Sequence, residues 1–246
     1  MNLLEVAGLR VRYGSHEAVR GVCFTLARGE ILGIVGESGS GKSTIARTLI
    51  GLQRKTVGTV VNRAKSMQMV FQDSVGSLNP RLTVRQTLEE VLALQARRNR
   101  ADAAELPTPE GLLELVGLSP AVLDQYPREM SGGQCQRISI ARALASRPDV
   151  LIADEPVSAL DVSVQARILN LLRDLRRKLG FSILLIAHDL AVVKNLCDRI
   201  CVMEKGVFVD VGSAEKVMTA PESAYTKRLL AAVPDVDRAL AQREAR

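Results

Sequence analysis

Tryptophan is absent from this chain, and aromatic residues make up only 3% of its 246 positions. A sugar or nucleic-acid platform built from stacked rings therefore has little material to work with. Histidines number two and cysteines four. No Cys-x-x-Cys pair occurs, and neither His16 nor His188 falls near Cys23, Cys135, Cys197 or Cys201 at zinc-ligand spacing. The spacing excludes a zinc ribbon and predicts four buried, reduced thiols. Long apolar runs are also missing. "FSILLIA" (Phe181–Ala187) is one of the longest, far short of the roughly 18 residues that a bilayer-spanning helix requires. The opening "MNLLEVAGLR" has no basic n-region and carries Glu5, so it does not read as a secretory signal. The expectation is a cytoplasmic protein on the inner face of the cell membrane, held there through a partner.

What is present reads as globular. Hydrophobic residues make up 47% and charged residues 24%, and the length allows one large domain or one domain with an inserted lobe. The formal net charge of +6 is compatible with an ordinary surface or with anionic partners. The Arg-rich "QARRNRAD" (Gln95–Asp102) reads as a solvated helix end or loop.

The pattern along the chain indicates an α/β fold. Leu3–Val11 and Val22–Leu26 alternate as in an antiparallel edge. "EILGIVG" (Glu30–Gly36), "DVLIADE" (Asp149–Glu155), "FSILLIAH" (Phe181–His188) and "DRICVME" (Asp198–Glu204) are continuous apolar runs, as in parallel strands covered on both faces. Between the second and third of these, Val164, Ile168, Leu171, Leu172 and Leu175 recur at helical spacing up to Gly180, which predicts a crossover helix. "MEKGVFVDVG" (Met203–Gly212) reads as a hairpin. From Asp73 to Pro148 the pattern is mostly helical and broken by prolines, and it predicts a helical lobe inserted into the α/β core.

Six motifs carry chemistry. "GESGSGKS" (Gly36–Ser43) fits G-x-x-x-x-G-K-[ST] between a strand and a helix, the arrangement of a phosphate-binding P-loop. The backbone at Gly36, Glu37, Ser38, Gly39, Ser40 and Gly41 can curl so that amides converge on phosphate oxygens. Lys42 supplies a compact charge that both binds phosphate and serves catalysis, the Ser43 hydroxyl a Mg²⁺ ligand, and Thr44 belongs to the same nucleotide-binding set. "VLIADEP" (Val150–Pro156) delivers Asp154 and Glu155 to a strand tip, where Asp154 would hold Mg²⁺ and Glu155 would polarise an attacking water. Gln72 ends "MQMVFQD", where its amide could meet both Mg²⁺ and water. His188 ends a neighbouring strand and could reach a γ-phosphate. Tyr13, in "VRYG", could stack on adenine.

The sixth motif, "MSGGQCQR" (Met130–Arg137), sets Ser131, Gly132, Gly133 and Gln134 at a helix start. Helix N-termini attract anions, yet the chain already has a P-loop and no second G-K-[ST]. The economical reading is that this turn caps the γ-phosphate held by another subunit; a plain N-cap by Ser131 is the alternative.

Taken together, "GESGSGKS", "VFQD", "MSGGQCQR", "VLIADEP", "SALD" (Ser158–Asp161) and "IAHD" stand in the order found in ABC-transporter ATPase subunits, and nearly the whole chain resembles that family. The resemblance implies a P-loop NTPase with a RecA-like parallel core and antiparallel edge (residues 1–72 and 149–220), and an inserted α-helical subdomain (73–148). It implies two ATPs sandwiched in a head-to-tail dimer, each between one P-loop and the partner's SGGQ. By the same match Tyr13 stacks on adenine, Gln72 belongs to the lid loop, Glu155 is the base, His188 the switch, and Asp161 lies in a loop crossing the dimer interface. "QDSVGSLNPRLTV" (Gln72–Val84) and the tail "PESAYTKRLLAAVP" (Pro221–Pro234) are further similar to the oligopeptide, dipeptide and nickel importer ATPases, nearest their F-type subunit. Such importers pair two ATPase subunits with two membrane permeases and an extracytoplasmic solute-binding protein. The tail departs in one place, with Ser-Ala-Tyr-Thr at Ser223–Thr226 where the family often has His-Pro-Tyr-Thr. The stretch between Lys42 and Gln72 is short for the family, so a trimmed antiparallel lobe is expected. A nucleic-acid or mechanical ABC ATPase and an exporter ATPase are the alternatives; no nucleic acid is expected as a partner.

Overall fold

The computed structural model describes residues 1–98, 106–158 and 160–232. Part of the Gln95–Asp102 stretch, Ala159 of "SALD" and residues 233–246 of the tail lie outside these.

Two sheets organise the chain. Strands β1 (Asn2–Tyr13), β2 (His16–Ala27) and β4 (Val57–Asn62) form an antiparallel sheet in the order β2-β1-β4. The larger, six-stranded sheet runs β5-β6-β7-β3-β8-β9. Its strands are β3 (Ile31–Val35), β5 (Met67–Val70), β6 (Val150–Asp154), β7 (Ser182–Ala187), β8 (Arg199–Glu204) and β9 (Val207–Ser213). The first five pair in parallel, and β9 turns back antiparallel to β8. The hairpin predicted at Lys205-Gly206 is therefore present.

The apolar runs are explained by cover on both faces. In β3, Ile31 and Val35 join one core cluster while Leu32 and Ile34 join the other. In β6 the split is Leu151 and Ala153 against Val150 and Ile152. Successive side chains of a strand point to opposite faces, so a sheet with two wet-free faces needs apolar residues at every position. One core lies toward α2 (Val84–Arg98), α3 (Pro109–Leu115), α4 (Gly132–Leu144) and α5 (Val162–Leu179). The other lies toward the antiparallel sheet and α1 (Lys42–Leu49). Short helices α6 (Leu190–Lys194), α7 (Ala214–Thr219) and α8 (Ala224–Ala232) complete the described residues.

Helix α5 has sharp ends for local reasons. Asp161 Oδ1 accepts the Val164 N–H at 2.9 Å, and Gly180 closes the helix in a left-handed conformation with φ 75°, where a Cβ would be penalised. Residues 73–148 hold α2–α4 and no strand among the described residues. Arg142 on α4 donates to the Ser77 carbonyl at 2.7 Å, and Ser139 to the Ser74 carbonyl at 3.5 Å. These bonds clasp the loop that follows Gln72 onto α4.

The cysteines correct one expectation. Cys135, Cys197 and Cys201 are buried, but Cys23 is exposed. On β2, Val22 and Phe24 both point inward, so the period-two pleat turns Cys23 out; the Gly8 N–H rests on its sulfur at 3.1 Å. Burial pushes the Cys135 thiol up despite its place near a helix start, and it pushes Cys201 up to about 12. Because thiolate and access both govern reactivity, brief treatment of the native protein with a maleimide should modify Cys23 alone. Peptide mass mapping checks this, and modification of Cys135 would contradict its burial.

Candidate active site

Parallel strands deliver their C-terminal ends to one edge of the sheet. Val35 pairs with Ala187, and Asp154 with Ile186, so the loops leaving β3, β6 and β7 converge. Open α/β sheets bind ligands at this edge.

The loop from Gly36 to Gly41 wraps the start of α1 and is held tightly. A Cβ on Gly41, at φ 109°, would sit 2.3 Å from the Ala18 carbonyl oxygen; one on Gly36 would sit 2.1 Å from that of Met203. Both positions exclude any side chain. Lys42 is 3% exposed. Its Nζ donates to the Gly36 carbonyl at 2.7 Å and the Glu37 carbonyl at 2.9 Å. Burial pushes the Lys42 pKa down, opposed by the carboxylates of Glu155 and Asp154. A desolvated ammonium with two neutral acceptors is a site that gains from an anion. The Ser40 hydroxyl is also buried and lacks a hydrogen-bond partner.

Asp154 is buried at the tip of β6, and the Ser43 hydroxyl donates to its Oδ1 at 2.8 Å. Burial raises the Asp154 pKa; the Ser43 hydrogen bond works against this. An oxygen-only pair of hydroxyl and carboxylate is suited to a hard divalent cation.

Glu155 follows at φ 45°, a left-handed backbone that few non-glycine residues adopt and that clusters at functional sites. Its N–H donates to the Ile186 carbonyl at 3.0 Å. Three residues from other parts of the chain meet its carboxylate: Gln72 Nε2 at 3.2 Å, His188 Nδ1 at 3.4 Å and Lys42 Nζ at 3.9 Å. In this geometry the Gln72 amide faces Glu155.

Above these groups lies a cavity of about 590 Å³. Tyr13, Glu37, Ser38, Gly39, Gly41, Lys42, Ser43, Thr44, Gln72, Glu155 and His188 line it. Tyr13 is 45% exposed at its mouth, and His16, which the motifs did not single out, stands beside it. The β1–β2 pairing of Tyr13 with His16 places both there.

Ser131, Gly132, Gly133, Gln134 and Asp161 do not line this cavity. Ser131 Oγ accepts the Gln134 N–H at 3.3 Å, and Gln134 Oε1 accepts the Ser131 N–H at 2.9 Å, a reciprocal capping box. Gly132 lies 3.5 Å from Leu160, measured from its ideal Cβ, and a Cβ on Gly133 would meet Val164 at 2.8 Å. The turn therefore packs on the start of α5, and Gly132 shares a separate cleft with Gln72, Val75 and Ser158. The structure brings the P-loop, Asp154, Glu155, Gln72 and His188 together and leaves the SGGQ turn outside their cavity, with Gly132 lining the separate cleft that Gln72 shares.

A family model described as "ABC transporter" matches residues 19–158. The oligopeptide transport ATP-binding protein OppF of Salmonella typhimurium is 44% identical over 96% of this chain and 78% of its own length. Among solved structures, cbiO1 from Clostridium perfringens, part of the ABC transporter complex cbiONQ, aligns with a TM-score of 0.76 at 25% identity, over 98% of this chain and 99% of that one. The ATP-binding cassette MJ0796, a dimer in a post-hydrolysis state bound to ADP and Pi, aligns with a TM-score of 0.69 at 27% identity, over 86% of this chain and 98% of its own.

Proposed function

Since this chain belongs to the ABC-transporter ATPase family, we propose that it is the ATP-hydrolysing subunit that powers a peptide importer. The observation that carries the ATPase reading is the meeting of Gln72, His188 and Lys42 on Glu155 at the rim of the P-loop cavity. The import reading and its peptide cargo rest on the similarity to a protein named for oligopeptide transport, and on the SLNPRLTV and YTKRLLAAVP segments.

In this reading Lys42 and the P-loop amides other than that of Glu37, whose N–H is held by Tyr225, hold the β- and γ-phosphates, and Tyr13 stacks on adenine. Ser43, Asp154 and Gln72 would hold Mg²⁺, which when bound neutralises phosphate charge and orients the leaving group. Glu155 takes the proton of the attacking water, and His188 contacts the γ-phosphate side of the site. Ser131 and the amides at Gly132 and Gly133 complete the site of a second ATPase subunit, so that ATP bridges two subunits arranged head to tail. Closing that bridge draws residues 73–148 inward. Permease helices docked near Gln72 and Ser77–Arg81 follow, and hydrolysis releases them. The chain would then work at the cytoplasmic face of a membrane; no helix among its described residues is long and apolar enough to cross one.

Uptake tests the cargo. Cells lacking this chain should lose import of a labelled tripeptide and regain it with the wild-type chain. Normal peptide uptake in the deletion, with loss of nickel uptake or of drug export instead, would overturn the assignment.

A further inference from the structure

Among the described residues, one side chain of the tail helix hydrogen-bonds to the P-loop. Asp210 on β9 accepts the N–H groups of Glu222 and Ser223, each at 3.0 Å, and the hydroxyl of Thr226. These bonds fix the entry of α8. Tyr225 is 5% exposed and its ring sits in the main core, with the Arg228 guanidinium 5.8 Å from the ring centre. Its phenol oxygen accepts the N–H of Glu37 at 3.0 Å. The carbonyl of that same Glu37 accepts Lys42 Nζ at 2.9 Å and the Ser40 N–H at 3.2 Å.

We propose that Tyr225 is a positioning residue for ATP. By anchoring the Glu37 amide it keeps the Glu37 carbonyl where that carbonyl orients the Lys42 ammonium, so the tail sets phosphate affinity without touching the nucleotide. The inference rests on the reading above in which Lys42 holds the phosphates of ATP.

Three points support it. The back of the loop is otherwise braced only by core elements among the contacts described: Gly206 N–H donates to the Ser40 carbonyl at 2.9 Å, and Met203 crowds Gly36. Tyr225 adds a brace from beyond the last core strand. The phenol stays neutral, because burial pushes its pKa up and the Glu37 hydrogen bond only partly offsets this; the link therefore acts as a dipole and persists across neutral pH. Finally, phenylalanine at this position would keep the buried ring and remove only the acceptor, so the function of the hydroxyl is separable from packing.

The full-length Tyr225→Phe variant tests this beside wild type and Lys42→Ala. Tyr225→Phe should melt at the wild-type temperature without nucleotide, yet bind ATP roughly threefold to tenfold more weakly, the span of one neutral hydrogen bond. In turnover the loss should fall on KM and leave kcat unchanged. Hydrogen exchange at the Glu37 amide should quicken. Wild-type ATP affinity, an unaltered Glu37 exchange rate, or a drop in melting temperature that accounts for the affinity loss would each overturn the role. Lys42→Ala separates the two levels. If it binds ATP normally, the phosphate-site reading itself fails; if it abolishes binding while Tyr225→Phe changes nothing, only the tail's role fails.

Discussion

Glu155→Gln is expected to lower ATP turnover by roughly 10²- to 10³-fold, within the range for loss of a general base, while ATP remains bound. The substitution keeps the shape of the side chain and its place between Gln72, His188 and Lys42, which lie 3.2, 3.4 and 3.9 Å from the carboxylate. It removes the basic oxygen and one negative charge. The charge matters separately, because a carboxylate beside Lys42 competes with the phosphates for the same ammonium and repels a γ-phosphate. Its removal should strengthen retention of ATP. A bridged pair of subunits that binds ATP and cannot hydrolyse it should persist as a dimer. Single-turnover hydrolysis and size-exclusion chromatography with ATP measure the two effects. Turnover equal to wild type would remove Glu155 from the role of base.

Ser131→Arg should abolish hydrolysis at the site completed by this turn and leave ATP binding by the isolated subunit intact. The expectation follows from location. Ser131 caps α4 against Gln134, and the neighbouring glycines pack on Leu160 and Val164 rather than on the cavity over Lys42. A long cation there would block the close approach of a γ-phosphate held by another chain, and loss of the cap itself costs only about 1 kcal/mol. Nucleotide binding and steady-state ATPase assays on the same preparation separate the two. If the isolated variant no longer bound ATP, the turn would act on the chain's own P-loop.

Much of the scaffold was legible because it follows from short-range rules. The four apolar runs became strands because both sheet faces are covered, and Gly180 ended α5 through its left-handed backbone. The P-loop was readable because its residues are contiguous. The resulting geometry also unites Gln72, Asp154, Glu155 and His188, whose strand tips share an edge. What the sequence hid depends on pairing across distance. Strand β4 shows modest burial, a mixture of exposed and half-buried residues, and it is defined by its partner β1. Tyr225 meets Glu37 across a separation of 188 residues, so no local pattern announces it. His16 reaches the cavity only through the tight turn that sets it against Tyr13. The exposure of Cys23 is different: the alternation of Val22 and Phe24 already implied it.

The left-handed backbone at Glu155 has an evolutionary side. For a residue with a Cβ that conformation costs about 1–2 kcal/mol, and glycine would escape it. Selection for heat resistance alone would therefore favour erasing the very carboxylate on which the site converges. On the proposed role of Glu155, an acidic side chain at that strained position trades stability for work, and a thermostabilisation campaign on this chain should hold residue 155 fixed from the outset.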